Sequence, residues 1–164
     1  MTPNKHGLYK IFLDFIPLKS PRRVLLSTSF TVEGEKEGSP ALEEKLTAEI
    51  GNHRFELKKD SVLKVGEETL LEFTGLNQQG EQISLSPVMG AFAHLVAFDP
   101  KLKGFAHLHP TQTFLPRSKE DIHSGPLSFS FMPPSAGTYR LWAQVKLEQT
   151  PEETFIPFDL KVGS

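Results

Sequence analysis

Histidines with a spacing suited to metal binding are concentrated in one part of this 164-residue sequence. His107 and His109 form an H-x-H pair, and the alternation of side chains along a β-strand would place both rings on one face. His94 lies in an apolar run that ends at Phe98, and a short turn separates that run from Phe105. If Phe98 pairs with Phe105, His94 stands opposite His109, with Cβ atoms roughly 4.5–5.5 Å apart.

Three imidazoles on one β surface have the chemistry of a zinc or copper site. Met89, just upstream, is a soft candidate fourth ligand for Cu(I), and His123 is a further histidine held in reserve. Two alternatives stay open. A register shifted by one residue would send His94 to the opposite face, and strand histidines also pack or form ordinary hydrogen bonds. The sequence therefore predicts either a metal site or a structural or protein-interaction module without metal.

Other kinds of site find little support in the sequence. It contains no nucleophile elbow, metalloprotease motif, Gly-rich phosphate loop or EF-hand pattern, and no general base stands beside the histidines. We therefore expect a binding module rather than an enzyme. The formal net charge is −2, and the basic and acidic residues are spread along the chain. This distribution argues against nucleic acid as a partner. No run approaches the roughly 18 apolar residues of a membrane span.

An internal repeat reveals the elements that must position these residues. His6–Gly34 aligns without a gap with Ala136–Ser164, at a constant offset of 130 residues. Each copy is typical of a strand, a Pro-containing turn and a second strand, which together form a β-hairpin. We predict that residues 1–32 are the closing hairpin of an incomplete upstream repeat, that residues 33–44 are a linker, and that residues 45–164 form a complete β-sandwich domain.

The body of the sequence supports that fold class. Seven or eight short strands are expected, with a long irregular stretch at Thr111–Gly125 and no helical period. Tyr139 follows a Pro-Pro turn and a glycine, as in a tyrosine corner, where the phenol hydroxyl bonds to backbone. The prediction is an all-β protein: an immunoglobulin-like or cupredoxin-like β-sandwich with an extra N-terminal β-hairpin.

The first hairpin presents an apolar face that needs a partner. Tyr9, Ile11, Leu13 and Phe15 alternate along its first strand, and an isolated two-stranded hairpin is only marginally stable in water. The face can pack on the body of its own chain or on a second molecule. The sequence favours a homo-oligomer formed through this hairpin.

The segment Val88–Pro110, followed by Gly137-Thr138-Tyr139-Arg140-Leu141, resembles a group of mostly uncharacterised exported bacterial proteins with tandem immunoglobulin-like or cupredoxin-like domains. These carry M-G-A-x-x-H-L-V and H-x-H-P motifs and often occur in heavy-metal settings. The resemblance implies a periplasmic or secreted location, copper or another heavy metal as the ion, and Met89, His94, His107 and His109 as the functional positions. The N-terminal residues lack the apolar core of a signal peptide, so the expected location rests on the resemblance alone.

Overall fold

The computed structural model describes residues 5–20, 22, 24–34, 42–112, 115–148 and 150–164. Twelve β-strands and no helix occur in these ranges, so the predicted all-β class is confirmed. The strands are β1 (Gly7–Phe15), β2 (Val24–Val32), β3 (Thr47–Ile50), β4 (His53–Lys59), β5 (Thr69–Leu76), β6 (Ser84–Ser86), β7 (Ala93–Phe98), β8 (Phe105–Leu108), β9 (His123–Ser124), β10 (Leu127–Phe131), β11 (Gly137–Leu147) and β12 (Glu153–Val162). Most of the predicted linker, residues 35–41, lies outside the described residues.

The chain divides into two compact units between residues 41 and 42. The first unit contains the antiparallel pair β1–β2, with a register that runs from Gly7 opposite Val32 to Phe15 opposite Val24. Within the described ranges of the chain, no helix is long and apolar enough to cross a membrane.

The second unit consists of two antiparallel sheets that share one core. One sheet has the strand order β10-β5-β4-β3, and the other has the order β8-β7-β11-β6-β9, with β12 on the free edge of β11. β11 organises the larger sheet, because its residues 140–145 pair with β7 and its residues 146–147 pair with β6. The arrangement is the sandwich-like fold that the sequence predicts.

Every second side chain along the strands points into the space between the two sheets and helps to fill it. On β11 the residues Tyr139, Leu141, Ala143, Val145 and Leu147 are buried, and the residues between them are half-buried on the outer face. Burying an apolar side chain of leucine or phenylalanine size stabilises a fold by about 1.5–3 kcal/mol. Both sheets contribute to the largest fully buried side chains, among them Tyr139, Phe55, Leu57, Leu71, Phe73, Leu95, Leu127, Phe129, Phe131, Leu141 and Phe158.

The repeat in the sequence is a repeat in the structure. Gly137 pairs with Val162 on β11–β12, just as Gly7 pairs with Val32 on β1–β2, so the two hairpins share one register at the offset of 130 residues. Tyr139 lies in the predicted corner.

The tyrosine hydroxyls repeat as well. Tyr139 donates a hydrogen bond to the carbonyl of Ser135 at 3.1 Å, and Tyr9 donates to the carbonyl of Lys5 at 2.9 Å. Each hydroxyl thus satisfies the backbone four residues upstream, which confirms the tyrosine corner.

One prediction about the connections is wrong. The stretch Thr111–Gly125 is not wholly irregular, because β9 lies within it and pairs His123 with Leu85 of β6. The described part of the body, β3 to β12, holds ten strands rather than seven or eight, and β9 is one of the additional ones. A two-residue strand is too short to show alternation in sequence, and a pairing partner nearly forty residues away leaves no local signal.

Candidate metal centre

The hairpin formed by β7 and β8 has the register that the sequence predicts. Phe98 stands opposite Phe105, and Val96 stands opposite His107. The ladder ends at Leu95 and Leu108, and the next residues in the same register are His94 and His109. A short connection fixed by local hydrogen bonds to Asp99 sets this register, since the Asp99 carboxylate accepts from the backbone of the turn.

The three predicted histidines meet on the outer face of the larger sheet. The ring centroid of His94 lies 5.0 Å from that of His107 and 4.7 Å from that of His109. The centroids of His107 and His109 are 5.0 Å apart, and those two rings are stacked. One ring nitrogen from each residue can be chosen so that all three lie within 4.8 Å of one another. We call this group the histidine triad.

Burial across the triad is graded. His94 is fully buried, His107 is half-buried and His109 is exposed. Among the described residues, neither ring nitrogen of His94 has a hydrogen-bond partner. Burial without a compensating hydrogen bond costs a polar group roughly 1–3 kcal/mol, so the fold retains His94 at a measurable cost.

The protonation state of His94 follows from the same surroundings. Desolvation by burial, and then the nearby His109 and His107, lower the pKa of His94 from 6.5 to about 4. The imidazole is therefore neutral at pH 7, with its nitrogen lone pair available. A metal ligand must be in this form, because a protonated imidazole cannot coordinate a cation.

Long-range pairing supplies two neighbours that the sequence did not reveal. β7 pairs with β11, so Gln144 stands opposite His94 and Trp142 stands opposite Val96, on the outer face of the sheet. The Gln144 amide donates to Glu153 at 2.6 Å, which fixes its orientation. Trp142 is the only tryptophan of the chain. No local pattern in the sequence gives the register between strands more than forty residues apart.

The other two candidate ligands lie in different settings. Met89 occupies a turn closed by hydrogen bonds between Val88 and Ala91, with φ of 46° and a largely exposed side chain. Its role as a fourth ligand stays a prediction. His123 lies on β9, where its ring packs against Phe92 at 5.3 Å, and it is not a member of the triad.

The donor set of the triad determines which chemistry it can perform. Three imidazole nitrogen donors suit zinc and copper, whereas hard cations such as magnesium prefer oxygen. In a tetrahedral site with Zn–N bonds of 2.0–2.1 Å, ligand nitrogens lie about 3.3 Å apart. The three chosen nitrogens of the triad lie within 4.8 Å of one another, so the rings need to close by up to about 1.5 Å to reach that spacing. The exposed His109 is the ring with most room to move.

The sequence comparisons place this centre inside a family domain. No curated protein matches the chain. Residues 48–164 match the model of a protein family described as a domain of unknown function (DUF8832), and this range includes both sheets and the histidine triad. The match covers more than half of the chain. The chain therefore belongs to the DUF8832 family.

Proposed function

We propose that this protein is a non-enzymatic binding module that holds one transition-metal ion, copper or zinc, through His94, His107 and His109. The observation that carries the proposal is the state of His94. Its ring is fully buried and neutral, has no hydrogen-bond partner among the described residues, and lies about 5 Å from the other two rings.

This observation also weighs against the simplest alternative, a structural hairpin in which the histidines only form hydrogen bonds. That alternative requires His94 to make at least one such bond. A bound ion would instead satisfy one nitrogen directly and would recover part of the free energy lost on burial.

Binding rather than catalysis is supported by the neighbours of the triad. Among the described residues, strand pairing brings Val96, Trp142 and Gln144 to the same sheet face as the triad, and none of these three side chains is a general base. The likeness in motifs to exported proteins of heavy-metal settings, with their immunoglobulin-like or cupredoxin-like domains, supports copper as the ion. It also supports an extracytoplasmic location. Both remain parts of the proposal.

Calorimetric titration with Cu(II) and Zn(II) tests the proposal. We expect about one ion per chain for the wild type and a loss of at least tenfold in affinity for the His107→Ala/His109→Ala variant. His53→Ala is the matched control, because His53 lies on β4 and outside the triad. Equal affinity in the wild type and the double variant would contradict the proposal. A Met89→Leu variant titrated with Cu(I) reports on the fourth ligand separately.

A further inference from the structure

The two sheets of the body leave a cavity at one end of their edge strands. β8 is an edge strand of the larger sheet, and β10 is an edge strand of the smaller one. Just after β8, the Thr111 N–H donates to the carbonyl of Ser128 at 2.8 Å, which joins the two edges near the start of β10. Near the end of β10, a cavity of about 390 Å³ is lined by Ala106 of β8 and by Phe131. Ligand pockets in proteins commonly measure roughly 300–1,000 Å³.

Small side chains on β7 and β8 create this space. Ala97 stands opposite Ala106, whereas the next pair on the same face of the hairpin consists of two leucines. Ala97 is buried, but Ala106 is only half-buried, although it packs against the core. Phe131 and Tyr139 also line the cavity, and their rings meet edge to face with centroids 5.4 Å apart. One wall of the cavity is therefore apolar and partly aromatic.

Asp99, Ser135 and Tyr139 form a hydrogen-bonded group that also lines the cavity. The Ser135 hydroxyl donates to Oδ2 of Asp99 at 2.8 Å, and the Tyr139 hydroxyl donates to the Ser135 carbonyl at 3.1 Å. A hydroxyl group has a single hydrogen, so both hydroxyls have used theirs. Lone pairs remain on Oδ2 of Asp99 and on the Ser135 hydroxyl oxygen. This group therefore offers a ligand acceptors rather than donors.

Asp99 contributes a negative charge to the same group. Burial acts to raise the pKa of its carboxyl, but hydrogen bonds from the Ser135 hydroxyl and from the backbone N–H groups of Lys101 and Lys103 lower that pKa below its ordinary value. The carboxylate is therefore ionised at neutral pH. A ligand with a positive charge and an N–H group fits it, because a hydrogen bond between ionised partners is roughly twice as strong as a neutral one. The exposed Lys103 ammonium also lines the cavity and competes for this carboxylate.

We propose that this cavity binds a small aromatic amine in its protonated form, with the ring on the apolar wall and the ammonium group at Asp99. The wall buries the ring, and aromatic rings in contact gain stability beyond the area that they bury. The ammonium group supplies the donors that Asp99 and Ser135 lack. An aromatic carboxylate of the same size would instead bring further acceptors next to a negative charge. Ala97 faces the core, on the opposite side of β7 from the histidine triad, so the site does not depend on a bound metal ion.

Titration of the isotope-labelled full chain, followed by NMR in the presence of a metal chelator, tests this site with phenethylamine as the probe. We expect saturable shifts at the backbone amides of Ala97, Ala106 and Phe131. Hydrocinnamate, which carries a carboxylate on the same phenylethyl group, should bind roughly tenfold more weakly or worse. The absence of saturable shifts at these amides, or equal affinity for the amine and the carboxylate, would overturn the proposal.

Two variants test the wall and the charge separately. Ala106→Leu fills the cavity, so it should raise the melting temperature and weaken phenethylamine binding by roughly tenfold or more. Lys103→Gln removes the competing ammonium from an exposed position and should tighten binding by roughly 2- to 5-fold. Lys101→Gln is the matched control, because Lys101 is an exposed lysine of the same turn and is not among the described residues that line the cavity. Unchanged affinity in Ala106→Leu would contradict the site. Weaker binding in Lys103→Gln would contradict the charge of the ligand, even where Ala106→Leu fails to fold.

Discussion

His94 illustrates how a single residue can lower stability while providing a binding group. Its imidazole is buried on a β-strand, and both ring nitrogens lack hydrogen-bond partners among the described residues. An apolar side chain at this position would fill the space without the cost of desolvating two polar atoms. Residues that break a local rule in this way tend to be functional.

Replacing His94 by leucine separates stability from binding. We expect His94→Leu to raise the unfolding free energy of the metal-free protein by about 1–2 kcal/mol, since it removes a buried polar group without partners. Urea denaturation measures this change. In the same variant, added zinc or copper should no longer increase stability. A destabilised variant would show that the imidazole makes stabilising hydrogen bonds and would support the structural alternative.

The pH dependence of unfolding, compared between the wild type and His94→Leu, gives a second test of the buried imidazole. The pKa of His94 falls from 6.5 to about 4 on folding, so between these values the unfolded chain binds a proton that the folded chain does not. Stability therefore falls as the pH drops from 6.5 towards 4, by up to about 3 kcal/mol. His94→Leu should lose that part of the acid sensitivity. An unchanged acid profile would contradict the burial of a neutral imidazole.

The sequence predicts contacts in the site between residues that are close along the chain, but not contacts between residues that are far apart along it. The closeness of His94 to His109 follows from a hairpin whose turn is short and whose apolar residues alternate. The placing of Gln144 and Trp142 beside the triad depends on β7 meeting β11, and no residue near either strand encodes that register. Local pairing can therefore be predicted, whereas pairing between distant strands needs the structure.

At the scale of elements, the two hairpins show the same sequence pattern in two environments. They share a register and a tyrosine whose hydroxyl bonds to backbone four residues upstream. The repeat made both features predictable, because equivalent residues keep the same offset. The short strand β9 escaped prediction, since two residues carry no periodicity.

The tyrosine corner should contribute unequally in the two copies. Tyr139 is buried, and its hydroxyl bonds to the backbone and side chain of Ser135. Tyr139→Phe should therefore lower the unfolding free energy by about 1 kcal/mol. The hydrogen bond of Tyr9 is exposed, so water can replace the lost partner, and Tyr9→Phe should change stability by only a few tenths of a kcal/mol. Thermal or urea unfolding of both variants compares them; equal effects would show that burial does not set the value of this bond.

At the scale of the whole molecule, the body contains what the proposed function requires. Within the part of the chain that the structure describes, the fully buried core residues all come from Ala48 onwards, and the family match begins at the same residue. The triad lies on the outer face of the larger sheet, so the core can stay closed while the rings adjust around an ion. The hairpin lies outside the family match.

X-ray absorption spectroscopy of the zinc- or copper-loaded protein tests the central claim most directly, because it counts the ligands around the ion. We predict three imidazole nitrogens at about 2.0–2.1 Å for zinc, with the multiple-scattering features of histidine rings. The His107→Ala/His109→Ala variant should lose this signature, whereas His53→Ala should keep it. A metal shell with fewer than three imidazoles in the wild type, or the same shell in the double variant, would contradict the assignment of the ion to His94, His107 and His109.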